Sequence, residues 1–140
     1  RRLLLAMIEK YHQKYPMFGV CLGHEAFIEF FGGSLKFTEP VHGKSSKMRH
    51  DGKTIFDGVD EDFLAGRYHS LVAEVTPDCF EVSATCPAGV DGSGEKLVMA
   101  IRHKTLLIEG VQFHPESVLS MKLGNGMKIV ENVIKGINAK

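Results

Sequence analysis

An α/β fold is predicted, with a parallel sheet flanked by helices and an antiparallel insertion. Three observations carry it. Helical stripes stand at both ends of the chain, two short buried-looking strands stand inside them, the first apolar at every position, and a run of short strands and turns lies in the middle. At 140 residues the chain makes one domain, read as 1–140, large enough to bury its own core.

The elements follow in order. Leu4, Ile8, Tyr11 and Tyr15 recur at i, i+4, i+7 and i+11, an amphipathic helix that Pro16 stops. Residues 16–20 are apolar without alternation, as in a strand covered on both faces. A second helix over 23–31 turns Ala26, Phe27, Phe30 and Phe31 inward and ends at Gly32-Gly33. Strands are expected over 34–37, 46–50, 64–71, 80–86 and 97–103, with a turn at Asp51-Gly52 and a surface hairpin at 91–94. A buried strand over 108–113 follows. The chain closes on a helix whose stripe is Val130, Val133, Ile134 and Ile137.

Composition excludes several functions. Lys plus Arg and Asp plus Glu number 17 each, so no net basic field draws nucleic acid or an anionic membrane. No apolar run approaches the roughly 18–20 residues of a membrane span. Three cysteines, an odd number, with no signal-like segment speak against a secreted disulfide framework and for a reducing compartment, the cytosol or a plastid stroma. His24-Glu25-Ala26-Phe27-Ile28 lacks the second histidine of a zinc-protease helix, there is no CxxC, and no glycine-rich phosphate loop is complete. Neither a metal nor a cofactor is expected. Cys79 and Cys86 read as core residues of a strand, and His12, His50 and His103 as solvated; His42 and His69 are left open.

Two motifs carry chemistry. Gly19-Val20-Cys21-Leu22-Gly23 has a nucleophile between small residues where a strand turns into a helix. Such a turn strains the central residue, exposes its side chain and aims the next backbone N–H at a developing oxyanion. His114-Pro115-Glu116 ends the other buried strand; residues i and i+2 of an extended segment share a side, so Glu116 can orient the His114 ring. Cys, His and a carboxylate at the ends of strands of one sheet form the nucleophile, base and orienter of a thiol acyl-transfer site.

Phe18-Gly19-Val20-Cys21-Leu22-Gly23-His24, Val41-His42-Gly43-Lys44-Ser45, Arg67-Tyr68-His69-Ser70-Leu71 and Glu109-Gly110-Val111-Gln112-Phe113-His114-Pro115-Glu116-Ser117 together resemble class I (triad-type) glutamine amidotransferases. Among these the chain is similar to the glutaminase subunits that serve anthranilate synthase and aminodeoxychorismate synthase. The resemblance implies a flavodoxin-like parallel or mixed sheet and hydrolysis of L-glutamine through a Cys21 thioester. Ammonia would pass to a chorismate-using synthase subunit in a hetero-oligomer. It also implies that the Leu22 N–H serves the oxyanion, that Ser70 and Leu71 hold the amino-acid end of glutamine through backbone groups, and that the 42–45 stretch lies near the site and the partner. A γ-glutamyl peptide hydrolase on the same fold fits the Arg67–Leu71 stretch less well; a catalytically impaired interaction domain is the other alternative.

Two departures qualify the resemblance. Family members carry further strand-helix units at the N-terminus, with a Pro-Gly-Pro-Gly loop, so the chain reads as the C-terminal part of such a domain. Glu25 stands where the family has Gln. A carboxamide there can donate to glutamine, whereas a carboxylate only accepts, and its charge opposes a Cys21 thiolate. Glu25 is therefore expected to weaken glutamine binding and thiol reactivity, unless it turns away to solvent or to Lys44.

Overall fold

The computed structural model describes residues 2–39, 41–67, 71–89, 91–117 and 124–138, with backbone alone for 41–45, 67 and 117. Their order is α1 (Arg2–Tyr11), β1 (Met17–Val20), α2 (Leu22–Phe30), β2 (Ser34–Phe37), β3 (Val41–His50), β4 (Phe63–Arg67), β5 (Leu71–Val75), β6 (Phe80–Pro87), β7 (Lys96–His103), β8 (Ile108–Val111) and α3 (Asn125–Asn138), with 3₁₀ turns at Thr54–Phe56 and Pro115–Ser117. Six strands form one sheet in the order β1-β8-β7-β6-β3-β4, and β2 pairs with β5 in a second, two-stranded sheet. β1 and β8 run parallel in the register Val20 to Val111, while the other described pairings are antiparallel. The fold is thus α/β on a mixed sheet.

Each face of the large sheet buries its own core. Ile8, Ala26, Phe27, Ile28, Ile101 and Ile108 pack on the α1–α2 side. Met48, Ile55, Phe56, Phe63, Val111, Phe113 and Ile129 pack on the side of the 54–56 turn and α3. Alternation along the β8 segment deals its residues to both layers. Ile108 joins the α2 side and Val111 and Phe113 the α3 side, which directs Gly110 and Gln112 toward α2.

Five expectations are corrected. The first helix ends at Tyr11, not Tyr15: residues 12–14 are turns, in which Lys14 N–H and Tyr15 N–H both donate to the Tyr11 carbonyl, and the His12 ring bonds to the Ile8 carbonyl; Tyr15 is exposed. The strand expected over 64–71 is two strands in different sheets, β4 on β3 and β5 on β2. On α3 the buried apolar anchor is Ile129, while Ile134 and Ile137 are exposed, since the helix docks on the 54–57 segment by its first half and by Asn132, which donates to the Ile55 and Asp57 carbonyls. Cys86 is core, as expected, but Cys79 sits half-buried in the turn before β6. The histidines expected in solvent are half-buried among rings. His12 lies against Phe30 and Phe31, His103 against Phe31 and Phe80, and His50 stacks on Phe56.

Two glycines let α2 press onto the sheet. A Cβ on Gly19 would lie 2.6 Å from the Phe27 ring, 2.7 Å from the Gly23 carbonyl carbon and 2.8 Å from the His24 nitrogen. One on Gly110 would lie 2.9 Å from His24 Nδ1. A Cβ on Gly23, by contrast, meets nothing within 4 Å. Gly19→Ala should therefore destabilise the fold by about 3 kcal/mol, the upper part of the overpacking range, because two of its three clashes are with backbone. Gly23→Ala should change stability by less than about 1 kcal/mol. Thermal or urea unfolding of the two variants checks the contrast, and equal losses would contradict it.

Candidate active site

Cys21 occupies the turn between β1 and α2, with φ 54° and ψ −99°. A side chain at positive φ outside glycine costs about 1–3 kcal/mol and needs its surroundings to hold it. Here the holders are visible. The Cys21 N–H donates to the Val111 carbonyl at 2.8 Å, extending the β1–β8 ladder one residue past the strand, and the Cys21 carbonyl accepts from Glu25 N–H at 2.9 Å as the first bond of α2. Leu22, the first residue of α2, is 64% exposed and leaves the thiol at an open helix N-terminus.

The parallel pairing brings the end of β8 to the same place. Gln112 is fully buried, and its backbone N–H is tied to the Met99 carbonyl at 2.8 Å. Its Nε2 donates to Glu25 Oε2 at 2.7 Å and lies 4.0 Å from Cys21 Sγ, the outer limit for a bond to sulphur. Two residues on, His114 Nδ1 stands 2.8 Å from Glu116 Oε1 on the 3₁₀ turn. A carboxylate can only accept, so Nδ1 carries the proton and Nε2 is the basic nitrogen. His114 and Glu116 are both exposed, with side chains 46% and 62% accessible, and solvent competes for their bond.

Glu25 points neither to solvent nor away from the thiol; it is 6% exposed and held by Gln112. Burial raises its pKa above the usual carboxylate range, the Gln112 bond works the other way, and Glu29 one turn on adds to the rise. Cys21 is raised as well, first by burial and then by the Glu25 charge, with the Leu22 N–H and the Gln112 amide partly offsetting both. Glu25→Gln removes a negative charge beside the sulphur. It should lower the pH midpoint of Cys21 alkylation and speed labelling at pH 7.5 by about 3- to 10-fold, a change of up to one pKa unit. Peptide mapping of iodoacetamide adducts reads this residue by residue, and an unchanged midpoint would contradict it.

Beside Glu25 a hollow of about 230 Å³ is lined by Leu4, Leu22, Ala26, Glu29, Leu35 and Leu71. Cys21, Leu22, Glu25 and Leu71 thus come together at one end of the sheet, and the His114–Glu116 pair follows the β8 end that flanks Cys21. Ser70 lies outside the described residues, as does His69, and the side chains of 41–45, His42 and Lys44 among them, are not described. Gln112 is the site residue that motif reading passed over. Its position two residues before His114, on the α2 side of β8, was the available signal.

The family Glutamine amidotransferase class-I matches residues 2–135. Anthranilate synthase component 2 of Haloferax volcanii is 50% identical over 123 residues, covering 87% of this chain and 57% of that protein. Aminodeoxychorismate/anthranilate synthase component 2 of Bacillus subtilis is 44% identical over 134 residues, 94% of this chain and 64% of that one. Among solved structures, a putative GMP synthase component from Thermoplasma acidophilum superposes with a TM-score of 0.79 at 26% identity, covering 96% of this chain and 64% of that chain. The chain spans about three fifths of the length of the curated relatives it matches. It belongs to the class-I glutamine amidotransferase family.

Proposed function

We propose that the chain is the glutaminase part of a chorismate-using synthase, hydrolysing L-glutamine to glutamate and ammonia that the synthase incorporates into anthranilate. The observation that carries this reading is Cys21, held at positive φ on the strand-to-helix turn beside the end of β8, from which the His114–Glu116 pair follows. In the proposed mechanism His114 Nε2 takes the Cys21 thiol proton and the thiolate attacks the carboxamide carbon. The Leu22 N–H bonds the developing oxyanion, and His114 returns the proton to the departing ammonia. Water, deprotonated by the same ring, then cleaves the γ-glutamyl thioester, and Glu116 orients the ring in both halves. Glu25 and the Leu71 segment, with Ser70 beside it, are the proposed contacts for the rest of glutamine. The names of the two relatives support a hetero-oligomeric partner of the chorismate-using kind. The free state of Cys21, Cys79 and Cys86 supports a reducing compartment, cytoplasm or plastid stroma. Among the described residues no helix is long and apolar enough to cross a membrane.

A glutamine analogue bearing an electrophile tests this directly. Label confined to Cys21, together with glutamate release in the presence of the synthase, is the expected result; label on Cys79 or Cys86 at a similar rate would overturn it. The same assay with ammonia supplied in place of glutamine separates a second reading, a docking domain with a weakened site. That reading is favoured by the Glu25 charge beside Cys21. Full synthase activity with ammonia and none with glutamine would select it.

A further inference from the structure

We infer that Gln112 is a positioning residue for the nucleophile, and that it works through Glu25 by tying down the carboxylate whose charge faces Cys21. The inference rests on the reading of Cys21 as nucleophile. The distances decide which contact matters: 2.7 Å to Glu25 Oε2 is a short charge-assisted bond, whereas 4.0 Å to Cys21 Sγ is marginal.

The side chain is built for this bond at a cost. Gln112 Oε1 is buried and has no hydrogen-bond partner among the described residues. Leaving such an acceptor unmade costs about 1–3 kcal/mol. Flipping the amide would not relieve the cost, because it would set Oε1 against the Glu25 carboxylate. A buried amide that accepts an unpaired oxygen in order to donate to one carboxylate has a specific partner in Glu25. The contact is also purely tertiary. Gly110, in β8 two residues before Gln112, lets the first turn of α2 approach closely enough for residues 87 positions apart to bond.

The charge balance around the sulphur makes the bond consequential. Among the described residues, charged or titratable groups on the elements around Cys21 are Glu25, Glu29 and His24 on α2 and His114 and Glu116 after β8, while β1 carries none; the elements that pack on α2 add Arg2, Glu9, Lys10 and Tyr11 of α1, Lys36 of β2, paired with Glu95, and Glu74 of β5, which accepts from Ser34. Glu109, also on β8, is occupied by Arg102. Within this set Gln112 donates to the one carboxylate that raises the thiol. Without that donor no N–H dipole stands against the Glu25 charge that faces Cys21.

The test is the pH profile of Cys21 alkylation by iodoacetamide, read on the Cys21 peptide by mass spectrometry. It reports thiol ionisation whether or not glutamine is turned over, so failure here and failure of the glutaminase reading are distinguishable. Gln112→Met keeps the volume and removes the donor. It should move the midpoint upward and slow labelling at pH 7.5 about 3- to 10-fold. In the Glu25→Gln background the same change should move the midpoint by less than a third as much. A midpoint unmoved by Gln112→Met, or moved equally in both backgrounds, overturns the inference. Gln112→Asn, whose amide is one methylene short of Glu25, gives the same readout should Gln112→Met fail to fold, as monitored by circular dichroism.

Discussion

His114→Asn should reduce glutamate release by about 10³-fold or more while changing the KM for glutamine only slightly. In the proposed mechanism His114 moves a proton in both halves of the reaction, so its removal takes away an interaction made in the transition state rather than in the bound state. Cys21→Ala should abolish turnover altogether. Glu116→Gln should cost less, about 10- to 100-fold. A buried orienting aspartate in a comparable triad is worth about 10⁴, but Glu116 is 62% exposed and water can take up part of its role. Steady-state kinetics with the synthase present measure all three. If Glu116→Gln leaves turnover unchanged, Glu116 is a surface carboxylate and the triad reduces to Cys21 and His114. The raised Cys21 pKa adds a pH dependence. Below its own midpoint the thiol depends on His114 for deprotonation, so the His114→Asn defect should shrink as pH rises and thiolate forms unaided.

A large effect on stability is expected at Arg102. On β7 its guanidinium reaches Glu109 of β8 at 3.0 Å, Glu81 of β6 at 2.9 Å and both carboxylate oxygens of Asp51 at 2.7 and 3.2 Å, with Thr54 Oγ1 and the Lys53 carbonyl completing the set. One cation thus joins three adjacent strands to the segment that leads into the 54–56 turn. The Arg102 side chain is 11% exposed and that of Glu109 16%. Burial alone would lower the guanidinium pKa, but the carboxylates outweigh it and raise it. Arg102→Met leaves these carboxylates facing one another in a half-buried site. It should destabilise by about 3 kcal/mol, the low end for a broken buried pair because Glu81 is half exposed. Adding Glu109→Gln should recover part of that loss, and a double-mutant cycle by urea unfolding measures the coupling.

The same cluster predicts a mild response to acid. Burial works to raise Asp51, yet the Arg102 bonds and the Lys53 N–H leave it below its ordinary value. Its contribution is present above the unfolded aspartate range and is lost as pH falls through the lower folded value. Glu109 is raised by burial, which its bonds to Thr54 and Arg102 do not fully offset, so it takes up a proton more readily folded than unfolded. As pH falls toward its folded value it adds stability, against the trend of Asp51.

Features legible along the chain are local ones. The strand-to-helix turn at Cys21 is legible because positive φ, a flanking glycine and an apolar four-residue strand are properties of neighbouring residues. The His114–Glu116 pair is legible for the same reason, since a spacing of two with proline between them constrains both side chains. The α/β class followed from apolar periodicity at the two ends. Whatever depends on which surface covers which was left to packing. Residues 64–71 read as one strand, but not as β4 and β5 in two different sheets. Periodicity marked Ile134 and Ile137 as a stripe, but α3 docks by Ile129 and Asn132 and leaves that stripe exposed. Histidine pattern could not show that His12 and His103 share a cluster of phenylalanines brought together by the fold. Glu25 was recognisable in the sequence as a departure; that its carboxylate is held by Gln112, 87 residues away, is a consequence of Gly19 and Gly110 letting a helix sit directly on two parallel strands. Hydrophobic burial is nondirectional and can be read from composition along the chain, whereas a hydrogen bond between buried side chains exists only once the backbone has set their distance.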